Sequence, residues 1–342
     1  MRRPLRLFGL ETRYVARLYV VHIGVALVLI SALVLGLDVA GQFDLVMAAQ
    51  GRIALPEGGS RLAYYAWLRF CFNLPAILPI ALAIGILWAE IRLARGNERA
   101  MLANTGRAPS LSLVPALLVG LAVGALQYNA LAHVRPHAVA AQGEAGFRDY
   151  GPKFRGGVTA PMWLDIDGTV LQAQIAFKPD GPELRSLRAF RFDEGNRLTQ
   201  QIWAARGEVI STGLRLTGAS QVWPEDPASG PPDHIAIRIN SAWLEHVGVP
   251  PRFLPQPVLA RILAEPGGVS NRAQYQAIAQ EGRAAVVLCM AIAAVMATLS
   301  LLLLGPRMRL VLPLAIAGLG YGIHLAATIL LTLGEFGRVS PV

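Results

Sequence analysis

The chain has 342 residues, of which 54% are hydrophobic and only 15% are charged. Its net charge is +9, and two cysteines are too few for a disulfide framework. This composition excludes a disordered chain and a small disulfide-stabilised domain. It is typical of an integral membrane protein that carries one further folded domain.

Five apolar stretches are long enough to cross a bilayer core of about 30 Å, which takes about 20 helical residues. They are residues 15–37, 70–89, 111–131, 284–304 and 310–333. Buried helices of soluble proteins rarely run this long with so few charges, so we predict five membrane spans. The first stretch follows a basic segment, as a signal peptide does. We interpret it as a retained helix because it is long and no good cleavage site follows it.

Basic residues are concentrated in three short segments of the chain. Residues 1–17, 90–110 and 305–309 contain eleven basic and three acidic residues, which accounts for +8 of the net charge of +9. Residues 134–282 are neutral, with fifteen of each. By the positive-inside rule, the three basic segments are predicted to be cytoplasmic and residues 134–282 to lie outside the membrane. The charge therefore indicates topology and gives no reason to expect a nucleic-acid partner.

Residues 134–282 have the pattern of short antiparallel strands. Residues 163–166 and 169–177 flank Asp167-Gly168, which predicts a hairpin. Residues 234–239 alternate between isoleucine and other residues, as a half-buried strand does, and Gly218 is interpreted as a turn. Many short strands without a long helix predict an antiparallel sandwich or jelly roll.

The basic segment between the second and third spans predicts a short amphipathic helix at about residues 91–106. Asn97 is a plausible N-cap, Glu98 suits the first helical turn and Gly106 is a plausible C-cap. Glu98 is the strongest candidate for a functional residue, because a carboxylate on a cytoplasmic surface helix can bind an arginine or a helix terminus of a partner. A solvated surface glutamate is the alternative.

No motif for catalysis or nucleotide binding is present, so we predict no catalytic residue and no enzyme activity. His133 and His137 are four residues apart but have no third ligand at a recognisable spacing, so no metal site is predicted. Tyr321 and His324 lie within the fifth span, where an ionisable group is a candidate for a substrate path. Helix packing explains them equally well. Gly120 and Gly124 form a small-residue packing pair.

Three arginines, Arg52, Arg61 and Arg69, stand near the outer end of the second span. Their guanidinium groups could bind phosphates of a lipid head group. Ordinary interfacial arginines are the alternative.

Taken together, these motifs resemble the LptF/LptG permeases of the lipopolysaccharide exporter. Leu74-Pro75, Leu78-Pro79 and the sequence of residues 93–106 look like the family's second span and coupling helix, with Glu98 at the acidic position. Residues 190–198, 204–207 and 214–223 look like its periplasmic strands. Tyr275 and Arg283 fall where the family has a tyrosine and an arginine before the fourth span. The resemblance covers nearly the whole chain, which ends about where the family's sixth span would begin.

The resemblance implies a transmembrane subunit of an ABC transporter in the bacterial inner membrane, with a cytoplasmic N-terminus and a periplasmic β-domain. It implies four kinds of partner: an LptB-like cytoplasmic ATPase dimer, a paralogous LptF/LptG-type permease, LptC-like and LptA-like periplasmic jellyroll proteins, and lipopolysaccharide. The chain itself would bind no cofactor, since the ATPase uses ATP and Mg. The coupling helix would contact the ATPase through Asn97, Glu98, Arg99, Met101 and Leu102. The lipid would pass along the first and fifth spans, near Leu33, Leu37, Tyr321 and His324.

We therefore predict a helical membrane bundle of five spans, without the family's sixth, and an inserted all-β, jellyroll-like periplasmic domain. The predicted boundaries are 1–133 for the first three spans, 134–282 for the β-domain and 283–342 for the last two spans. A membrane-anchored envelope scaffold or binding protein that transports nothing is the alternative function.

Overall fold

The fold was analysed in a computed structural model that describes residues 9–50, 53, 58–104, 113–147, 158–166, 168–178, 181–193, 195–210, 213–223, 233–298 and 311–338. The chain divides into two compact units. The first, here the membrane unit, comprises Met1–Gly151 and Ala277–Val342, and the second, here the β-unit, comprises Pro152–Gln276. The β-unit thus begins later in the chain and ends earlier than the predicted 134–282.

Long helices form the membrane unit. They are α1 (Leu10–Met47), α2 (Gly59–Arg95), the short α3 (Glu98–Asn104), α4 (Leu113–Asn129), a π-helical turn (Ala130–Val134) and α5 (Arg135–Glu144). After the β-unit follow α8 (Arg272–Ala297) and α9 (Val311–Glu335).

Five helices in the described part of the chain are long and apolar enough to cross a membrane, which confirms the predicted number of spans. Several are longer than predicted, because their ends carry the charged residues that a hydropathy pattern leaves out. The 38 residues of α1, for example, make a helix about 57 Å long, well beyond an apolar core of about 30 Å. Since α2 begins at Gly59, Pro75 and Pro79 lie near the middle of this helix.

Small residues allow the helices of the membrane unit to pack closely. A Cβ atom added at Gly124 would lie 2.7 Å from the Val286 Cα, and one at Gly120 would lie 2.8 Å from the Ala293 Cβ. The predicted small-residue pair therefore packs α4 against α8. A Cβ atom added at Gly85 of α2 would lie 2.5 Å from the Ile23 Cα of α1, so these two helices are also closely packed.

A six-stranded antiparallel sheet, with its strands in chain order, forms the centre of the β-unit. The strands are β1 (Met162–Ile166), β2 (Thr169–Lys178), β3 (Gly181–Phe192), β4 (Leu198–Ile210), β5 (Gly213–Trp223) and β6 (His234–Ile235). The predicted hairpin is confirmed, because β1 and β2 pair around Gly168, which has a φ of 77°. The inserted antiparallel β-domain is also confirmed, and the described strands are connected as a meander.

Two local predictions in the β-unit were wrong. Gly218 lies inside β5 and not in a turn. Only His234 and Ile235 of the predicted strand at 234–239 form β6, although Ile237 and Ile239 are buried as the alternation indicated. The sequence analysis also missed α6 (Ser241–Leu244), a 3-10 turn (Pro251–Phe253) and α7 (Gln256–Ala264), whose Leu259 and Ile262 are buried.

Candidate functional site

A sharp turn separates α2 from the predicted coupling helix. Residues 91–95 continue α2, and Gly96 and Asn97 connect it to α3, so the helix begins at Glu98 and not at about residue 91. Asn97 has a φ of 56°, in the left-handed region that asparagine tolerates better than most residues. Its carbonyl accepts a hydrogen bond from the Met101 N–H at 3.1 Å. The predicted C-cap, Gly106, is outside the described residues.

The candidate coupling residues differ in how accessible they are. Met101 is largely exposed, as are Asn97 and Ala100, whereas Leu102 packs against the apolar core of the membrane unit. Glu98 is half-buried, and one of its carboxylate oxygens accepts a hydrogen bond from the Tyr14 hydroxyl of α1 at 2.7 Å. The surface of α3 that a partner could contact is therefore smaller than predicted.

Arg99, predicted to contact the ATPase, is instead buried in the membrane unit. Its Nε donates a hydrogen bond to Glu90 Oε2 at 2.9 Å, and its Nη2 donates to Glu90 Oε1 and, at 3.1 Å, to the Tyr19 hydroxyl oxygen. The Tyr19 hydroxyl in turn donates to Glu90 Oε1. We call these three residues the Glu90 cluster. It joins α1, α2 and α3, and it accounts for Arg99 without any partner protein.

Arg99 keeps its charge although it is removed from water. Burial opposes the charge on Arg99, but the hydrogen bonds to Glu90 and the negative charge there outweigh burial, so the pKa of Arg99 lies above its ordinary value. A buried pair of this kind depends on both partners. Removing one leaves an uncompensated charge, which costs about 3–5 kcal/mol.

The outer arginines are also held by the protein where the structure describes them. Arg69 is buried and bonds Asp38 through its Nε at 2.9 Å and its Nη2 at 3.1 Å, while the Tyr65 hydroxyl donates to Asp38 Oδ2 at 2.7 Å. We call Asp38, Tyr65 and Arg69 the Asp38 cluster. Arg61 Nη1 donates to the Met47 carbonyl at 2.6 Å. These contacts do not favour head-group binding by Arg69, and Arg52 lies outside the described residues.

Two helices of the membrane unit leave most of their apolar surface uncovered. In their most apolar windows only 22% of the residues of α1 and 11% of those of α9 are buried, compared with 56% for α2. Leu33 and Leu37 on α1 are 65% and 70% exposed, and Tyr321 on α9 is 57% exposed. The candidate lipid-path residues thus lie on the two least covered spans.

His324 borders two cavities inside the membrane unit. The larger, about 500 Å³, is lined by residues of α2, α4, α5, α8 and α9, and the smaller, about 220 Å³, is bordered by Tyr321 as well. The Nδ1 atom of His324 is buried and has no hydrogen-bond partner among the described residues. Leu33 and Leu37 line neither of these two cavities.

Gln127, which the sequence analysis did not single out, compensates for a proline. Pro79 has no N–H to donate to the Pro75 carbonyl one turn earlier. The buried Gln127 side chain donates to that carbonyl instead, through Nε2 at 2.7 Å. A glutamine inside an apolar span was the signal that could have revealed this contact.

The model for the lipopolysaccharide export system permeases LptF/LptG matches residues 13–342. The chain belongs to the LptF/LptG permease family. No curated protein matches it in a direct sequence comparison.

Membership of the LptF/LptG family confirms the resemblance found in the motifs, and it covers essentially the whole chain. The family's proteins are permease components of a lipopolysaccharide export system, a transport role and not a catalytic one. Together with the five span-length helices, this makes the chain a multi-pass protein of the inner membrane. No group of three potential metal ligands occurs among the residues that the structure describes.

Proposed function

We propose that this LptF/LptG-family chain is the transmembrane subunit that extracts lipopolysaccharide from the inner membrane, driven by a separate cytoplasmic ATPase. The observation that carries the proposal is the uncovered apolar surface of α1 and α9, the first and fifth spans. A second permease subunit and the acyl chains of the lipid would cover this surface together. Such a surface suits a path between two subunits better than a channel within one.

The energy for extraction has to come from outside the chain. Removing a multi-acyl lipid from the bilayer costs about 0.8 kcal/mol for each CH₂ group that leaves an apolar environment. The sequence contains no nucleotide-binding motif, so the work would be supplied by an LptB-like ATPase dimer that binds α3. Met101 of α3 is 70% exposed, and with Glu98 it would form the contact.

The orientation in this proposal follows the basic residues. The N-terminus and α3 would face the cytoplasm, and the β-unit would lie in the periplasm. There the β-unit would pass the lipid to LptC-like and LptA-like proteins.

Site-specific photocrosslinking tests the lipid path. A photoreactive residue at Leu33 or Tyr321, in the chain assembled with its partner permease and ATPase, is expected to capture lipopolysaccharide when ATP is added. Val287 of α8 is the matched control, because this apolar residue is 69% exposed but lies on neither helix of the path. Equal capture at Val287 and Leu33 would contradict the path and indicate general contact with membrane lipid.

The role of Glu98 is tested by Glu98→Ala and Glu98→Lys. Both are expected to lower the amount of lipid released for each ATP hydrolysed, and Lys more strongly because it reverses the charge. Unchanged release in both variants would exclude Glu98 from coupling. Co-purification separates this function from the scaffold alternative, since a transport subunit brings down an ATPase and a paralogous permease and a scaffold does not.

A further inference from the structure

The Glu90 cluster is a junction of three helices that meet at one end of the membrane unit. Tyr19 comes from α1, Glu90 from α2 and Arg99 from α3, and each of the three side chains is hydrogen-bonded to both of the others. All three are buried. Next to it, the Tyr14 hydroxyl of α1 donates to Glu98 of α3. The short α3 is therefore bonded to α1 twice, through consecutive residues.

The two long helices of this junction differ in how easily they can bend. The chain has no proline between Leu10 and Met47, so α1 is an uninterrupted helix over its whole length. In contrast, α2 contains Pro75 and Pro79 near its middle, where helices commonly kink. A displacement of α3 is thus transmitted along α1, whereas α2 can absorb one.

We infer that Tyr19, Glu90 and Arg99 transmit the movement of α3 to α1. This inference rests on the proposed function, in which an ATPase moves α3 and lipid lies along α1. Arg99 fixes α3 to Glu90, and the Tyr19 hydroxyl carries the connection to the first span. The three are positioning residues, since all of them are buried inside the membrane unit. Leu33 and Leu37 lie farther along the same continuous helix, on its exposed surface.

A second contact keeps α1 and α2 aligned beside the cluster. The His22 ring packs edge-on against Trp88, with the ring centroids 5.4 Å apart, and His22 Nδ1 lies 2.8 Å from the Leu18 carbonyl oxygen. This contact joins α1 only to α2. Without the Tyr19 hydroxyl, α1 would stay packed on α2 and bonded to Glu98 through Tyr14, but would lose its buried bond to Arg99.

The test compares two tyrosines in the complex of the full chain with its partner permease and ATPase. Tyr19→Phe removes the hydroxyl that joins α1 to Glu90 and Arg99 and retains the ring. Tyr65→Phe is the matched control, because it removes an equally buried hydroxyl between the same two helices but not near α3. The measurements are ATP hydrolysis and lipopolysaccharide release from proteoliposomes.

For Tyr19→Phe we expect lipid release per ATP to fall at least fivefold, with the rate of ATP hydrolysis within twofold of the unsubstituted complex. Tyr65→Phe is expected to leave that ratio unchanged. Arg99→Met and Arg99→Lys form a second pair of variants. We expect Arg99→Met to lower the lipid released per ATP, and Arg99→Lys, which keeps the charge, to lower it less. If Arg99→Met fails to assemble, the Tyr19→Phe result decides.

Three outcomes would overturn the inference. Tyr19→Phe and Tyr65→Phe could change the ratio equally, hydrolysis and release could fall in parallel, or Tyr19→Phe could leave both unchanged. Each would make the cluster a purely structural one. A failure of the proposed function is distinguishable, because the unsubstituted complex would then release no lipid on hydrolysing ATP.

Discussion

The membrane unit has two buried ion-pair clusters at different positions along the α1–α2 pair, and they differ in what they connect. The described hydrogen bonds of the Asp38 cluster join α1 to α2, and its Asp38 side chain is 15% exposed. The Glu90 cluster brings in a third element, α3, and its Glu90 side chain has no exposure. The comparison indicates that the carboxylate which connects three helices is the more completely buried of the two.

The largest effect is expected when the Glu90 cluster loses one charge. Arg99→Met leaves the Glu90 carboxylate buried without its partner, so we expect a loss of about 3–5 kcal/mol in stability. The thermal unfolding of the purified protein in detergent measures it. In the double variant Glu90→Gln/Arg99→Met no charge is left unpaired, and we expect part of the lost stability to return. If the double variant unfolded at a lower temperature than Arg99→Met, the pair would not depend on charge compensation.

A smaller effect is expected at the Asp38 cluster. Asp38→Asn leaves Arg69 without its counter-charge, but the Asp38 side chain is partly exposed and the amide oxygen can still accept one hydrogen bond. We expect a loss of about 1–3 kcal/mol, measured in the same thermal unfolding experiment. A loss as large as that of Arg99→Met would break the comparison between the two clusters.

A neutral buried hydrogen bond gives the reference value for both ion pairs. Gln127→Leu removes the donor to the Pro75 carbonyl without unpairing a charge. We expect a loss of about 1 kcal/mol, the net value of an ordinary hydrogen bond. Gln127→Glu is the informative companion, because a carboxylate of the same shape cannot donate unless it is protonated. It is expected to be the less stable of the two variants, because its carboxylate is buried without a counter-charge. The opposite order would show that the glutamate is protonated and still donates to the Pro75 carbonyl.

The features that were predicted correctly are those whose sequence pattern lies within one short stretch of the chain. Five spans followed from apolar length, the β1–β2 hairpin from Asp167-Gly168, and the packing of Gly120 and Gly124 from their spacing. Helix ends were less accurate, because the charged residues that extend α2 to Arg95 carry no hydropathy signal. The helix α7 was missed because prolines stand at its start, and proline is as common in loops as in the first turn of a helix.

The role of Arg99 could not be predicted from local pattern. It lies nine residues after Glu90, and the left-handed Asn97 reverses the chain between them, so no helical spacing relates the two. Arg99 was therefore counted as a surface residue of a coupling helix. One signal for this contact was present in the sequence. Glu90 is an acidic residue at the end of an apolar span, and such a residue requires a partner. Tyr19, 71 positions earlier than Glu90, becomes a partner only through the tertiary fold.

The smallest effect is expected at an ion pair on the surface of the β-unit. The Lys178 ammonium lies 2.6 Å from Glu183, and its hydrogen bond, aided by Arg185, holds the pKa of Glu183 below its ordinary value. Stability gained from a depressed carboxylate pKa is present above the unfolded-state pKa and is lost as the pH falls through the folded-state pKa.

We therefore expect Glu183→Gln to be slightly less stable than the unsubstituted protein at neutral pH. The difference should shrink in acid, and added salt should also shrink it because the pair is exposed to solvent. Thermal unfolding at several pH values and salt concentrations measures both trends, with Glu208→Gln, in the wider exposed pair with Arg215, as the control. If this difference in stability did not depend on salt, the Glu183 pair would behave like the buried Glu90 cluster. Solvent exposure would then not explain how the two ion pairs differ.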